Sequence, residues 1–416
     1  MNKSIVVSQL GARMHYAVPR ILAGDGRLAH FYTDICATKG WPRLLQALPP
    51  RTLPLAIRRL VGRVPHDIPP DQTTTFPSFG LHSAIRRLAG KTRSDETANA
   101  LWAGERFGTL VAAEGFHDAA GIYAYSGEAL EQLKTARAHG LWTAVEQMIA
   151  PREVVDRLVG EEDAAFPNWQ LPVTDDPFAA AFIARERAEW ALADVIICPS
   201  EFVRRHVIES GCPAARATVI PYGIDSRFTV AKRAREPGPL RVLTAGEICL
   251  RKGSPYVLEA ARRLRGRAIF RMVGPCTVLP QARAALEAAV DLKGAVPRSR
   301  MREQYAWADV FLLPSICEGS ATVVYEALAA GLPVICTENT GSVVRHGTDG
   351  FIVPIRDVDA IVEALERLAA APRLHGDMIA NALARAAEFT LEHYSQRLLA
   401  ALSGVHRSEE ILPCAG

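Results

Sequence analysis

Short runs of apolar residues alternate along the chain with longer stretches in which apolar positions recur at helical spacing. Such alternation is typical of repeated βα units built around parallel sheets. In the first half it predicts a helix from about residue 15 to residue 23, after a turn at Gly11. The strands predicted in this half are residues 4–8, 28–35, 121–126, 141–145, 194–199 and 217–220.

A second series of the same kind follows residues 232–239, which are charged, contain two prolines and one glycine, and predict a linker or exposed loop. The strands predicted after it are residues 241–244, 268–273, 309–313 and 333–336. The fold class expected is therefore α/β, with two doubly wound Rossmann-like domains that meet between about residues 200 and 240. A ligand cleft is expected between them, facing the carboxyl ends of the strands.

Residues 40–95 interrupt this alternation as an insertion in the first domain. Within it, residues 41–64 combine leucine-rich faces with prolines that divide them into short helices, and no acidic residue lies between Asp34 and Asp67. The basic residues of this stretch are Arg43, Arg51, Arg58, Arg59 and Arg63. One interpretation is an amphipathic surface that contacts anionic lipid headgroups or a lipid-linked acceptor. The other is a solvated basic face packed on its own domain, and the sequence leaves both open.

Composition narrows the class of protein. The 416 residues suffice for two domains, and 49% hydrophobic with 22% charged residues is a globular balance. A net charge of +3 is too small to make nucleic acid the expected partner. The eight cysteines include no C-x-x-C pair, so neither a zinc site nor a disulfide framework is predicted.

The expected location is the cytoplasm. Scattered cysteines in apolar runs fit a reducing compartment. The first ten residues hold too short an apolar run for a signal peptide, and no run reaches the length of about 18 apolar residues that a membrane span needs. Peripheral contact with the inner face of the membrane stays open.

The most informative segment is EGSATVVYEALAAGLPVI, residues 318–335, which lies between two predicted strands. Its pattern predicts a helix that begins near residues 320–322 and ends at Gly331, with Ser320 or Thr322 as its cap. The N-terminus of a helix that follows a strand presents free N–H groups and a positive dipole end. A diphosphate is a natural ligand for such a terminus.

Two carboxylates, Glu318 and Glu326, flank that terminus. Eight helical residues span roughly 12 Å, which suits a nucleotide sugar whose diphosphate lies between a sugar and a ribose. Each carboxylate can accept hydrogen bonds from a pair of hydroxyls. Spacing alone favours the other interpretation, two glutamates on a solvated loop and helix, which is where glutamate is usually found.

These residues resemble the E-x7-E signature of the family 4 retaining glycosyltransferases, which have the two-domain GT-B fold. Other segments resemble the family in the same order along the chain: VIPYGIDSRF (219–228), AGEICLRKGSPYVLEAARRL (245–264) and GAVPRSRMREQYAWADVFLLPS (294–315). The resemblance covers about residues 190–390 and is weaker before them.

The resemblance assigns the donor sugar hydroxyls to Glu318, the ribose to Glu326 and the diphosphate to Lys252. The family's second diphosphate cation is an arginine after the glycine at the strand end. This chain has Glu247 in that position and Arg251 beside Lys252 instead. Glu318, Lys252 and Arg251 are therefore the expected catalytic residues.

The backbone amides of residues 321–323 are expected to meet the diphosphate, and a loop of the first domain, GARMH, is expected to face it from across the cleft. Besides Glu326, the expected donor-binding residues are Gly246, Glu247, Ser320, Ala321, Thr322, Val323, Val296, Gly11 and Arg13. Cations and a helix N-terminus stabilise the departing nucleoside diphosphate without a metal, so no metal and no cofactor are expected.

Many family members place a catalytic-site histidine after the fourth strand of the first domain. The corresponding strand here carries no histidine at that point. The candidates for its role, among which the sequence does not choose, are Tyr125, Ser126, Glu128, His117, His15 and Glu146.

Two acidic pairs imitate metal motifs. Asp357 and Asp359 form a D-x-D sequence, but they follow a predicted strand and open an amphipathic helix, where aspartate is an ordinary cap. Asp175 and Asp176 precede a proline and predict a helix start by the same argument.

The domains expected are an acceptor-side domain over residues 1–215, a nucleotide-sugar domain over 216–388, and a helix within 389–416 that crosses back to the first domain. The function expected is retaining hexosyl transfer from a UDP- or GDP-sugar to a carbohydrate or lipid-linked acceptor, in polysaccharide or glycolipid synthesis. The alternatives are a sugar-nucleotide-binding protein without catalysis, and a related GT-B epimerase or phosphorylase. A dehydrogenase is disfavoured because no G-x-G-x-x-G follows the first strand.

Overall fold

The computed structural model describes residues 4–47, 53–90, 92–171, 176–226, 228–230 and 238–405. Arg51, Asp175 and most of the predicted linker 232–239 lie outside these residues. The strands are β1 Ile5–Gln9, β2 Leu28–Thr33, β3 Thr73–Thr75, β4 Gly121–Tyr125, β5 Trp142–Glu146, β6 Val195–Cys198, β7 Ala217–Val219, β8 Leu240–Ala245, β9 Ala268–Val273, β10 Asp291–Leu292, β11 Val310–Leu313, β12 Val334–Thr337 and β13 Gly350–Val353.

The α-helices lie between these strands and after the last of them. They are α1 Ala17–Gly24, α2 Leu55–Val61, α3 Pro77–Ala89, α4 Arg93–Glu114, α5 Leu130–Ala138, α6 Arg152–Ala165, α7 Ala179–Leu192, α8 Glu201–Glu209, α9 Ser254–Arg263, α10 Pro280–Glu287, α11 Met301–Trp307, α12 Thr322–Ala329, α13 Val358–Ala370, α14 Pro372–Ala387 and α15 Leu391–Ser403.

The strands form two separate parallel sheets. The first has seven strands in the order β3-β2-β1-β4-β5-β6-β7, and the second has six in the order β10-β9-β8-β11-β12-β13. The strand order reverses at β1/β4 in one sheet and at β8/β11 in the other, which makes both domains doubly wound and Rossmann-like. Ligands of such sheets bind beyond the carboxyl ends of the strands at these switch points.

The apolar runs become strands because parallel sheets covered by helices on both faces bury every strand residue. In β1 all five residues are buried, and Val6 pairs with His30 on one side and Ile122 on the other. The predicted strands match those observed to within two residues at most ends. The prediction did not include β3 or β10, which are edge strands of three and two residues.

The boundary between the domains lies later than predicted. Strand β7 pairs in parallel with β6 and so belongs to the first sheet, whereas the predicted first domain ended at residue 215. The run at residues 217–220 was itself predicted as the last strand of the first half, and its pairing with β6 agrees with that, so only the boundary at residue 215 is wrong. The second sheet begins with β8.

Helix α15 packs against the first domain. Tyr394, Leu398 and Leu402 share one buried cluster with β1 side chains such as Ile5. The guanidinium of Arg27, after α1, donates to the Ser403 hydroxyl at 2.8 Å. The end of the chain therefore ties the two domains together.

Part of the insertion, residues 40–95, packs into the first domain. Strand β3 extends its sheet, and α3 packs on α4, where Phe79 stacks on Trp102 and Phe107 with ring centroids 5.6 and 5.9 Å apart. In the described portion of the chain, no helix combines the length and apolar character needed to cross a bilayer.

Candidate active site

The predicted catalytic residues converge at the switch point of the second sheet. β8 is followed by a short turn, Leu250–Lys252, and β11 by the loop that leads to Glu318. The turn is closed by Gly253 at φ 72°, where a Cβ would lie 2.0 Å from the carbonyl oxygen of Pro314. Only glycine allows so close an approach, and it lets the Ile316 amide donate to the Arg251 carbonyl at 2.8 Å.

Glu318 is the anion that both cations share. Its Oε1 lies 2.6 Å from Nη1 of Arg251 and 2.7 Å from Nζ of Lys252. Arg251 also donates to the Cys317 carbonyl at 3.1 Å, and Glu247 lies 3.9 Å from its Nη2. The three predicted catalytic residues therefore form one cluster, with Glu247 at its edge.

The cluster is screened from solvent, since Lys252 is 9% and Glu318 8% exposed. Two cations against one closely bound carboxylate leave an excess of positive charge. Charge–charge interactions are strengthened where water is excluded. An incoming diphosphate can bind to the two cations alongside Glu318, or it can displace Glu318 from them.

The N-terminus of α12 lies next along the same loop. The helix begins at Thr322 with Ala321 as its N-cap, and among the described residues no side chain caps it. The prediction that Ser320 or Thr322 caps this helix is wrong, because the Ser320 hydroxyl is instead 2.8 Å from the buried Tyr325 hydroxyl. The first turn is left to offer its N–H groups to a ligand.

One of the three predicted amides is already in use. The Ala321 amide donates to the Thr340 carbonyl at 3.3 Å, so it does not face a diphosphate as predicted. Thr322, whose side chain is exposed, and the half-buried Val323 supply the first helical amides instead. The loop between β12 and β13 therefore fixes where the anion site begins.

Glu326 stands one turn into α12 and is oriented by Tyr305 of α11. The Tyr305 hydroxyl donates to Oε2 of Glu326 at 2.7 Å. Burial, and then the Glu326 carboxylate, raise the pKa of Tyr305 well above its usual value, so the phenol stays a donor. Oε1 of Glu326 is left for another partner, with Arg298 at 3.9 Å.

The sequence did not single out Tyr305 and Arg298, although both belong to the segment 294–315 that resembles the family. Their link to Glu326 joins separate elements of the second domain. Val296 precedes Arg298 on the same loop and packs, half buried, against the cluster that contains Tyr305. No local spacing signals these contacts.

A strained loop of the first domain reaches this loop from the other side of the cleft. Met14, His15 and Tyr16 have φ of 43°, 52° and 61°, a left-handed run that is costly for residues other than glycine. Burial, and then the Arg298 guanidinium, lower the pKa of His15. The neutral imidazole therefore accepts a hydrogen bond on Nε2 from Nη1 of Arg298.

Gly11 and Arg13 of the same loop have partners within the first domain. The Gly11 amide donates to Oδ1 of Asp34 at 3.0 Å. The exposed Arg13 guanidinium lies over the Tyr125 ring, 5.6 Å from its centroid. Their predicted contact with the donor stays a prediction, and His15 is the residue of this loop that contacts the second domain.

The candidates for the histidine role separate into four places, one of which is the strained loop that carries His15. Glu146 is buried and accepts hydrogen bonds from the hydroxyls of Tyr123 at 2.5 Å and Tyr222 at 2.8 Å, which makes it a core carboxylate. His117 stacks on His30 with centroids 4.2 Å apart, before β4 and so at the opposite edge of the sheet from the cleft.

The other three candidates, Tyr125, Ser126 and Glu128, lie at the carboxyl end of β4. The buried Tyr125 hydroxyl donates to Gln9 at 3.3 Å, while Ser126 and Glu128 line a cavity of about 480 Å³. Arg13 and Met148 also line this cavity. The cavity borders the cluster of Arg251, Lys252 and Glu318, because Gly319 lies so close to Met148 that a Cβ there would be 1.7 Å from the Met148 carbonyl oxygen.

Comparison with known proteins agrees with this arrangement. Residues 239–371 match the family described as Glycosyl transferases group 1, and residues 138–228 match Glycosyltransferase Family 4. Together the two segments make up more than half of the 416 residues. The chain belongs to the family 4 glycosyltransferases.

Individual relatives are distant. The amylovoran biosynthesis glycosyltransferase AmsK of Erwinia amylovora is 29% identical over 231 residues, which are 51% of this chain and 56% of the relative. The chain thus spans about half the length of the curated relatives it matches. Sucrose-phosphate synthase from Thermosynechococcus elongatus superposes with a TM-score of 0.68 at 17% identity, over 96% of this chain and 98% of that one.

A second solved structure, Anabaena HepE in complex with UDP, superposes with a TM-score of 0.62 at 14% identity, over 96% of this chain and 99% of that one. At such identities the likeness concerns the fold. This family 4 glycosyltransferase therefore has the GT-B architecture of two Rossmann-like domains that the sequence predicted.

In this glycosyltransferase the D-x-D aspartates have structural partners. Asp357 accepts from the Ala360 amide at 2.8 Å as the cap of α13, and Asp359 pairs with Arg263. Within the residues that the structure describes, no group of three or more His, Cys, Asp or Glu side chains is arranged to hold a metal ion. Asp176 precedes α7 and accepts from Arg152 at 2.7 Å.

Glu128 gives the glycosyltransferase a pH-dependent stability. Burial raises the pKa of Glu128 to about 8, against a smaller opposing effect of Arg13. Between the ordinary carboxyl pKa and about 8, the folded protein holds a proton that the unfolded chain releases, so stability falls as pH rises. Glu128→Gln removes this loss. We expect equal melting temperatures at pH 5 and a variant that melts roughly 5 °C higher at pH 7.5.

Differential scanning calorimetry of both proteins at the two pH values measures this effect. A difference in melting temperature that does not change with pH would contradict a protonated Glu128.

Proposed function

We propose that this chain transfers a hexose, with retention of anomeric configuration, from a UDP- or GDP-sugar to a carbohydrate or lipid-linked acceptor in polysaccharide or glycolipid synthesis. The observation that carries the proposal is the shared ion pair of Arg251 and Lys252 with Glu318, set beside the uncapped N-terminus of α12. This arrangement suits a ligand with a diphosphate next to a sugar.

In this proposal the diphosphate binds to Lys252, Arg251 and the amides of Thr322 and Val323. As the bond between the anomeric carbon and the phosphate oxygen breaks, negative charge builds on that oxygen, and these fixed positive groups stabilise it. The diphosphate draws the cations away from Glu318. The carboxylate then accepts hydrogen bonds from sugar hydroxyls.

The ribose binds to Glu326, whose orientation Tyr305 fixes. Val296 and Arg298, on the loop beside it, then face the base. Support for a uridine nucleotide comes from the fold neighbour HepE, which was solved with UDP. Support for a polysaccharide pathway comes from AmsK, named for amylovoran biosynthesis.

The acceptor binds in the cavity of about 480 Å³ on the first domain. Its lining by Arg13, Ser126 and Glu128 offers hydrogen-bonding groups to hydroxyls. The attacking hydroxyl forms the new bond to the anomeric carbon and gives its proton to the departing phosphate oxygen. Retention itself rests on the family resemblance.

The proposal is tested by incubating the purified protein with a panel of radiolabelled UDP- and GDP-sugars, with and without candidate acceptors. Transfer or slow hydrolysis of one donor is expected, with release of nucleoside diphosphate. Binding of a donor without turnover would instead indicate a sugar-nucleotide-binding protein. Conversion of the donor to its epimer would indicate an epimerase.

Activity is expected to persist in excess chelator. The charge that a metal neutralises in other transferases is met here by Arg251 and Lys252, and the D-x-D aspartates are engaged as a helix cap and an ion pair. Turnover should therefore be the same, within error, before and after treatment with EDTA. Loss of activity in EDTA and recovery with manganese would overturn the prediction.

Glu326→Ala is expected to weaken the binding of both the donor and the free nucleoside diphosphate. The loss of charged hydrogen bonds to the ribose should cost roughly 1–3 kcal/mol. Calorimetric titration with UDP and GDP measures it. Tyr305→Phe keeps the carboxylate but removes the hydroxyl that orients it, and should show a smaller loss. Equal affinity of Glu326→Ala and wild type for both nucleotides would make the ribose assignment wrong.

A further inference from the structure

Exposed apolar side chains are concentrated in the insertion, residues 40–95. Of the large apolar side chains that are exposed in the described residues, only Leu171, Phe178 and Ile269 lie elsewhere. Those in the insertion are Trp41, Leu44, Leu81, Ile85 and Leu88. Leu44 and Leu88 are 76% and 82% exposed, and a group of such side chains in one region, unlike a single exposed leucine, is typical of an interaction surface.

Three of these side chains lie on one face of α3, and Trp41 follows a residue that lies against the start of that face. Positions 77, 81, 85 and 88 recur at helical spacing and lie along one face of α3. The chain just before Trp41 contacts the start of that face, since a Cβ on Gly40 would lie 3.0 Å from Cγ of Pro77. The opposite face of α3 is the one that packs inward, through Phe79 and Ser83.

The same region carries an excess of positive charge. Residues 40–95 contain nine basic and three acidic residues, whereas the whole chain has a net charge of only +3. The rest of the chain is therefore net negative. The exposed arginines of the region that the structure describes are Arg43, Arg58, Arg86 and Arg87. Exposed apolar side chains in a region with an excess of arginine complement an anionic lipid surface, where cations meet phosphates and apolar side chains enter the headgroup region.

We propose that Trp41, Leu44, Leu81, Ile85 and Leu88, with the exposed arginines of the same region, form a docking surface for bilayers that contain anionic lipids. The surface lies flat on the bilayer and does not cross it. Helix α3 connects it to the acceptor side of the enzyme, because Ser83, Arg86 and Arg87 of the same helix line the cavity of about 480 Å³. Docking therefore brings that cavity to the lipid surface, which under the proposed function favours a lipid-linked acceptor.

The test is sedimentation of the full chain with vesicles of phosphatidylcholine alone and of phosphatidylcholine with phosphatidylglycerol. Wild type should sediment with the anionic vesicles and hardly with the neutral ones. The variant Leu81→Ser/Ile85→Ser/Leu88→Ser should bind them at least about tenfold more weakly, because exposed apolar side chains drive the insertion. Arg43→Gln should weaken binding about fivefold.

Leu171→Ser removes an exposed leucine outside the docking surface and is the matched control, with binding like that of wild type. Circular dichroism and calorimetric titration with UDP and GDP on each protein separate docking from folding and from the donor site. Unchanged nucleotide binding with lost sedimentation supports the proposal.

Three outcomes overturn docking. They are absence of wild-type binding to anionic vesicles, equal binding by the triple variant, and a dimer in solution that the triple variant abolishes without any vesicle binding. None of them affects the donor site, whose failure would appear as loss of nucleotide binding and turnover in wild type.

Discussion

Replacing Lys252 by alanine is expected to lower turnover about a hundredfold, the scale for losing one preorganised electrostatic donor. The Lys252 ammonium lies 2.7 Å from Glu318 at the site proposed for the diphosphate, a group that donor and product share. Charge grows on that group as the sugar leaves. The same substitution should therefore also weaken the binding of free nucleoside diphosphate.

The measurements are donor turnover and calorimetric titration with UDP and GDP. Lys293→Ala is a suitable control, because Lys293 is a partly exposed lysine of the same domain that pairs with Asp291 at 3.0 Å. It should leave both quantities unchanged. Wild-type nucleotide affinity in Lys252→Ala would exclude Lys252 from the diphosphate site.

Replacing Glu318 is expected to lower turnover without weakening nucleotide binding. Glu318→Ala should lower turnover by about two orders of magnitude, because the carboxylate proposed to hold the sugar hydroxyls is lost. Binding of free nucleoside diphosphate should be kept or become tighter. The reason is that Glu318 occupies both Arg251 and Lys252, so its removal leaves the two cations to the phosphates.

The measurements are again donor turnover and calorimetric titration with UDP and GDP, made on the same preparations. Glu318→Gln keeps the size of the side chain and its capacity to bind hydroxyls but relaxes its hold on the cations. It should retain more turnover than Glu318→Ala, with a similar nucleotide affinity. If Glu318→Ala lost nucleotide affinity as severely as Lys252→Ala, the division of roles between the two residues would be wrong.

Several of these expectations depend on contacts between distant parts of the chain, which no local sequence pattern predicts. The ion pairs of Glu318 join two loops that are more than sixty residues apart in sequence, after β8 and after β11. The resemblance to family 4 placed both partners on the donor but did not show that they bind each other. The resemblance alone predicts that Glu318→Ala leaves nucleotide affinity nearly unchanged. Because of this contact, an increase in affinity is also an expected result.

The first domain shows the limits of local pattern most clearly. Its strands other than β3 were predictable from their apolar runs. The sequence could not choose among the candidates for the histidine role, because the surroundings that distinguish Glu146, His117 and Glu128 are set by the fold. Glu146 is surrounded by tyrosines, His117 stacks on His30, and Glu128 opens onto a cavity.

The sequence by itself determined the two α/β domains, most strands, and the segment from Glu318 to Glu326. Parallel strands buried on both faces require continuous apolar runs, and helix and turn signals are local. The tertiary structure alone decided that the Ala321 amide is used by Thr340 and that α3 leaves an apolar face uncovered. Each of these features depends on contacts between segments that are far apart in sequence. The local sequence pattern around a residue does not show such contacts.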